Sequence, residues 1–132
     1  MTLKATLDEV AMSCLGKMRD EISSGFREVG EFRKTDDAIE VILRDCKEDT
    51  GVYVFASADR PLYVGETKME LGRRLYFYAR PGSTQRTNIR VNGLLRDSMK
   101  LRGSVRILFF PLKHLESSLI RSIGPPWNET LK

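Results

Sequence analysis

The chain has 132 residues and a mass of 15.1 kDa, which is one compact domain or one domain with a helical extension. Hydrophobic residues make up 41% of it and charged residues 30%, a balance that supports a real core and excludes a disordered chain. No apolar run nears the roughly 20 residues of a membrane span, and the opening Met1-Thr2-Leu3-Lys4-Ala5 soon meets acid at Asp8 and Glu9. Neither a membrane segment nor a signal peptide is therefore expected, and the expected location is cytoplasmic.

The net charge of +4 hides a division. Residues 1–50 carry eight Lys/Arg against twelve Asp/Glu, and the remaining 82 carry fourteen against six. Between Arg73 and Arg106 stand nine basic residues with Asp97 as the lone acid, and eight of the nine are arginines. The forked donors of arginine suit phosphate better than the point charge of lysine, so a polyanionic partner is the expectation. Cys14 and Cys46 lack CxxC spacing and read as small apolar packing residues.

In chain order, Leu7, Val10, Cys14, Met18 and Ile22 predict an amphipathic helix over residues 6–23. Thr35-Asp36-Asp37 then offers capping residues for a second helix carrying Ile39, Ile42, Leu43 and Cys46. Both are expected to pack on the core with acidic outer faces, a homodimer contact being one use of them. From Gly51 the character changes. Val52-Tyr53-Val54-Phe55-Ala56, the turn signal Ala58-Asp59-Arg60-Pro61 and Leu62-Tyr63-Val64 predict a β-hairpin. Helices follow over 69–79 and 88–100, then a strand over 104–110 and a last helix over 113–123, stopped by Gly124-Pro125-Pro126. The expected class is α+β: a small antiparallel three-stranded sheet flanked by helices, with two N-terminal helices added. Residues 1–50 form the helical extension and residues 51–132 the main domain.

Four features do not read as core. Leu71, Arg74, Leu75 and Tyr78 share one helical stripe, and an arginine inside an apolar stripe is costly unless an anion meets it. Glu116 borders the stripe Leu115, Leu119, Ile120 and Ile123; a helix N-terminus would justify it, and so would a Mg²⁺ site beside a basic surface. Tyr53 and Tyr63 lie in adjacent strands, where tyrosines usually pack, and their register is open. Pro125-Pro126-Trp127-Asn128 reads as a C-terminal plug, with Trp127 buried and Asn128 capping backbone. His114, the single histidine, reads as a surface residue at a helix start.

The order and spacing of these features are more specific than any one of them. Gly51-Val52-Tyr53 followed by Tyr63-Val64-Gly65 resembles the two tripeptides that name the GIY-YIG nuclease superfamily. Arg74 and Tyr78 on the next helix, Glu116 on a later one and Asn128 after a proline resemble the family's further signature residues, so the resemblance spans residues 51–128. It implies a DNA endonuclease with one divalent metal, Mg²⁺ with Mn²⁺ able to substitute. By the same resemblance Glu116 holds the metal and Arg74 stabilises charge on the phosphate. Tyr53 orients or deprotonates the attacking water, Tyr63 and Tyr78 bond phosphate or water, and Asn128 supports the site. DNA contacts are expected from Lys68, Arg73, Arg80, Arg86 and Arg90. The chain departs from the family at Glu66-Thr67, where many members carry lysine, with Lys68 two positions further on. A restriction-like or mobile-element role is expected ahead of repair. The rival reading is a non-catalytic nucleic-acid-binding module on the same scaffold, with a purely structural α/β domain behind it.

Overall fold

The structure, a computed structural model, describes residues 27–36, 38–44, 50–57, 60–111 and 116–129. The helix expected over 6–23, the cysteines Cys14 and Cys46, and His114 with Leu115 lie outside the described residues. Five strands form one antiparallel sheet: β1 (Arg27–Thr35), β2 (Ala38–Leu43), β3 (Gly51–Ser57), β4 (Arg60–Thr67) and β5 (Val105–Phe110). Their spatial order is β2-β1-β5-β3-β4. The helices are α1 (Leu71–Ala79), α2 (Arg86–Arg102) and α3 (Glu116–Ile123). The α+β class with an antiparallel sheet holds, but the sheet has five strands where three were expected.

Of the two additional strands, β2 replaces part of the second expected N-terminal helix, and β1 lies where no element was expected. Ile39, Ile42 and Leu43 fit a helical stripe, yet Ile39, Val41 and Leu43 fit a strand equally well, and these three reach the core. Three of the six β2 residues are β-branched, which favours the strand. Asp36 supplies the turn: its φ of 32° is the left-handed backbone a tight hairpin requires, and Asp tolerates it better than most residues. Strand β1 was illegible for a different reason. Its inward residues Val29 and Phe32 are three apart because the ladder to β5 slips by one residue between Glu28 and Gly30. That bulge destroys the alternation by which a strand is read. Gly30 is small by necessity, since a Cβ there would run into the carbonyl of Ile42 on the neighbouring strand.

Both faces of the sheet are covered, so every residue of β3 is buried. On one face Tyr53, Phe55, Tyr63, Ile107 and Phe109 meet Leu71, Leu75 and Tyr78 of α1 and Val91, Leu95 and Met99 of α2. On the other, Val52, Val54, Val64 and Leu108 meet Leu119 and Ile120 of α3. Helix α1 rests against β2 and α2, and α3 against β4. Gly103, at φ 82°, closes α2 with its N–H on the Met99 carbonyl. No helix among the described residues is long and apolar enough to cross a membrane.

Candidate active site

The two tripeptides lie side by side. In the β3–β4 ladder Tyr53 stands opposite Gly65 and Phe55 opposite Tyr63, which puts both tyrosines on the face covered by α1 and α2. The register that sequence left open thus favours a site. Gly65 has a definite reason to be glycine: a Cβ there would overlap the Tyr53 ring and hydroxyl. The tyrosine of the first tripeptide lies across the glycine of the second.

Helix α1 then brings Arg74 and Tyr78 over this pair, one turn apart on its inner stripe. The hydroxyls of Tyr53 and Tyr78 are 2.5 Å apart, and the Tyr78 hydroxyl donates to that of Tyr63 at 3.4 Å. Arg74 donates from Nε to Tyr53 Oη at 3.3 Å and from Nη2 to Tyr78 Oη at 3.0 Å, with its guanidinium 4.9 Å from the Tyr78 ring centre. Loss of solvation pushes all three phenols well above their ordinary pKa of 10.0, and repulsion from a neighbouring tyrosinate adds to it for each. The nearby Arg74 charge pulls back only in part. For Arg74 itself burial acts downward, but the phenols Tyr53, Tyr78 and Tyr63 outweigh it and the net shift is upward. The group is therefore a permanent cation amid neutral phenols. Among the described residues no carboxylate lies within ion-pair distance of it.

Glu116 opens α3 on the opposite face of the sheet, half-buried. Burial raises its pKa first, and the negative charge of Glu66 raises it further. A backbone hydrogen bond from Glu66 and the charge of Arg74 act the other way. Glu116 thus feels Glu66, Arg74 and Tyr63 across the edge strand β4, so the carboxylate lies within electrostatic reach of the cation although the two come from different faces. No group of three or more His, Cys, Asp or Glu gathers among the described residues.

Asn128 grips the middle of the second tripeptide. Its side chain accepts from the Val64 N–H and donates to the Val64 carbonyl, both at 2.9 Å, as a neighbouring strand would. The Trp127 N–H adds a bond to the Leu62 carbonyl at 2.9 Å, and the Trp127 ring is buried in the tyrosine-face core. The tail thereby covers the outer edge of β4. Arg90, expected as a DNA contact, is turned toward this tail: Nη1 donates to the Trp127 carbonyl at 2.8 Å and Nε lies 2.9 Å from Glu129 Oε1. Lys68, Arg73, Arg80 and Arg86 are exposed.

Two polar residues went unread in the sequence. Asn92, in α2, is buried and donates to the carbonyls of Tyr78 and Ala79 at 2.8 and 3.1 Å, tying down the end of α1 where Tyr78 sits. Thr67 bonds both the N–H and the carbonyl of Met69, fixing the turn from β4 into α1. An asparagine inside an otherwise periodic helix was the available signal for the first. A cavity of about 460 Å³ lies away from the tyrosine cluster, between β2 and the outer side of α1.

No protein-family model matches the chain, and no curated protein matches it. Solved structures do. A Glu-to-Ala mutant of bacteriophage T4 EndoII superimposes with a TM-score of 0.65 at 19% identity, over 87% of this chain and 98% of that one. The restriction endonuclease HPY188I in complex with product DNA gives 0.53 at 19%, over 69% of this chain and 58% of that one, little more than half of its length. At this identity the likeness establishes the fold. It is the GIY-YIG nuclease-like fold implied by the tripeptides.

Proposed function

We propose that the chain is a metal-dependent DNA endonuclease, hydrolysing phosphodiester bonds at the edge of β4 in a restriction-like or mobile-element role. The observation that carries this is Arg74. Its side chain is partly buried against the tyrosine face, spends two donors on neutral phenols and has no carboxylate at ion-pair distance among the described residues. Such a cation is expensive unless a ligand brings the anion, and its remaining donors suit phosphate oxygens. The endonuclease identity of both structural neighbours, one of them with product DNA, supports the same reading.

The residues fit a divalent cation. A half-buried carboxylate whose charge is disfavoured by burial and by Glu66 gains when a cation arrives, and Mg²⁺ typically takes only one or two protein carboxylates, filling its shell with water and phosphate. Glu116 would hold it, and bound there the ion would supply Lewis-acid stabilisation and an acidified water. Arg74 would bind a non-bridging oxygen and stabilise the charge that grows on the phosphate. Tyr53 fits orientation better than base catalysis: its phenol is kept neutral, so it donates or accepts a hydrogen bond without giving up its proton near pH 7. Tyr63 and Tyr78 complete that hydroxyl cluster, and Asn128 fixes the strand that carries Tyr63. Lys68, Arg73, Arg80 and Arg86 would hold the DNA backbone without reading its sequence.

The test is plasmid nicking with Mg²⁺, Mn²⁺ or EDTA, for wild type and Glu116→Ala. Metal-dependent nicking that disappears in Glu116→Ala is the expected result. Binding without cutting by the wild type, on plasmid and on branched DNA, would instead favour the non-catalytic module, the reading that the repulsive Glu66 keeps in play.

A further inference from the structure

The outer side of α1 carries a second pattern, distinct from the inner stripe of Arg74 and Tyr78. Arg73, Tyr76 and Arg80 follow one another at i, i+3 and i+7, so they share one helical face. Tyr76 is 52% exposed, an unusual setting for a large aromatic ring, and both arginines are exposed. Among the described residues neither arginine has a carboxylate at ion-pair distance. Beside this stripe runs the cavity of about 460 Å³, with Ile39, Glu40, Val41 and Leu43 on the β2 side and Tyr76 and Arg80 on the helix side. Gly72 keeps the floor low: a Cβ there would press on the Leu43 side chain at 3.3 Å.

An aromatic platform between two exposed guanidiniums, above a trough of mixed polar and apolar lining, has the chemistry of a single-strand nucleic-acid site, where bases stack and phosphates are neutralised. We propose that this groove receives an unpaired nucleotide of the DNA substrate, its base on the Tyr76 ring and its flanking phosphates on Arg73 and Arg80. A helix is about 10 Å across with its side chains, so a strand leaving the Arg74 side reaches this stripe within a few nucleotides. The preferred substrate is then DNA with an unpaired or distorted segment near the cut. This inference rests on the reading of the chain as acting on DNA, but not on cleavage.

The experiment is therefore a binding one, in EDTA: fluorescence anisotropy of a labelled single-stranded oligonucleotide and of a duplex, with far-ultraviolet circular dichroism to verify folding. Tyr76→Ala should weaken single-strand binding about 5- to 100-fold while leaving the duplex within about twofold, and Tyr76→Phe should bind as wild type does. Arg73→Ala and Arg80→Ala should each reduce the salt dependence of single-strand binding by about 0.7 in log–log slope. Unchanged single-strand affinity in Tyr76→Ala, or an equal loss on duplex, overturns the groove proposal and leaves the nuclease reading untouched. A change of sedimentation in Tyr76→Ala with DNA affinity unaltered makes the face a self-contact and overturns it too. Absence of any DNA binding by the wild type removes the DNA reading of the whole chain, this groove included.

Discussion

Arg90→Ala separates two uses of one guanidinium. In sequence Arg90 belongs to a basic run and reads as a phosphate contact; in the fold it holds the C-terminal tail through the Trp127 carbonyl and Glu129. The hydrogen bond is charge-assisted and partly buried, a class worth about 1.5–3 kcal/mol. The Glu129 carboxylate is 68% exposed, so that ion pair adds at most about 1 kcal/mol. A loss of about 2 kcal/mol follows, which for 132 residues lowers Tm by about 7 °C. Trp127 is the single tryptophan and is buried, so its emission reports the tail alone. Arg90→Ala should shift that emission to the red below the melting transition. The cleavage rate should fall with DNA affinity unchanged, because Asn128 then loosens its grip on Val64. Arg90→Lys should recover part of both, since an ammonium can still reach the carbonyl. Unchanged emission and Tm together with weaker DNA binding, and a salt slope smaller by about 0.9, would refute the latch and return Arg90 to the phosphate contacts.

Gly65→Ala should cost about 1–3 kcal/mol by overpacking against the Tyr53 ring and should abolish cleavage, checked by urea unfolding and plasmid nicking; a folded, active variant would sink the packing argument. Arg74→Lys keeps the charge but not the fork that spans Tyr53 and Tyr78, so kcat should fall at least about tenfold with KM little changed. For the phenols the sign is plain: the folded state keeps protons that the unfolded chain releases above pH 10, so their stability is whole below that value and lost above it. Each coupled phenol contributes about 1.4 kcal/mol per pH unit, and Tyr53→Phe should flatten the alkaline limb of a Tm–pH curve. Glu66→Gln removes the second of the two causes that raise Glu116, burial being the first, so Glu116 ionises at lower pH; the acid limb of the pH–rate profile should move down, and a profile that stays put would contradict it.

The parts of the fold visible in sequence are those where one local period dominates. The strand rich in Val, Ile and Phe at 105–110 and the helix with Leu71, Leu75 and Tyr78 speak for themselves. The β1–β2 hairpin does not, because Val29 and Phe32 are set by a bulge that only the pairing with β5 creates, and because Ile39 and Leu43 satisfy both periods. The site divides in the same way. Arg74 and Glu116 could be singled out because one interrupts an apolar stripe and the other borders one, each a signal contained within one helix. The tail was legible as a plug with Trp127 buried and Asn128 on backbone, but its partners were not, since Arg90, Asn128 and Val64 lie far apart in sequence and meet only when the tail lies along β4.

Glycine 65 shows what the tripeptides encode. No period marks it, yet its hydrogen is all the space left beneath Tyr53. A side chain there would lift the tyrosine from the sheet and pull its hydroxyl away from Arg74 and Tyr78. The second tripeptide is thus the floor on which the first one's tyrosine lies, and Asn128 keeps that floor flat by pairing with Val64 in its middle. On the proposed reading, phosphate chemistry at Arg74 would depend on a backbone position that touches no substrate. For that reason Gly65→Ala should fail even with Tyr53, Arg74 and Glu116 all in place.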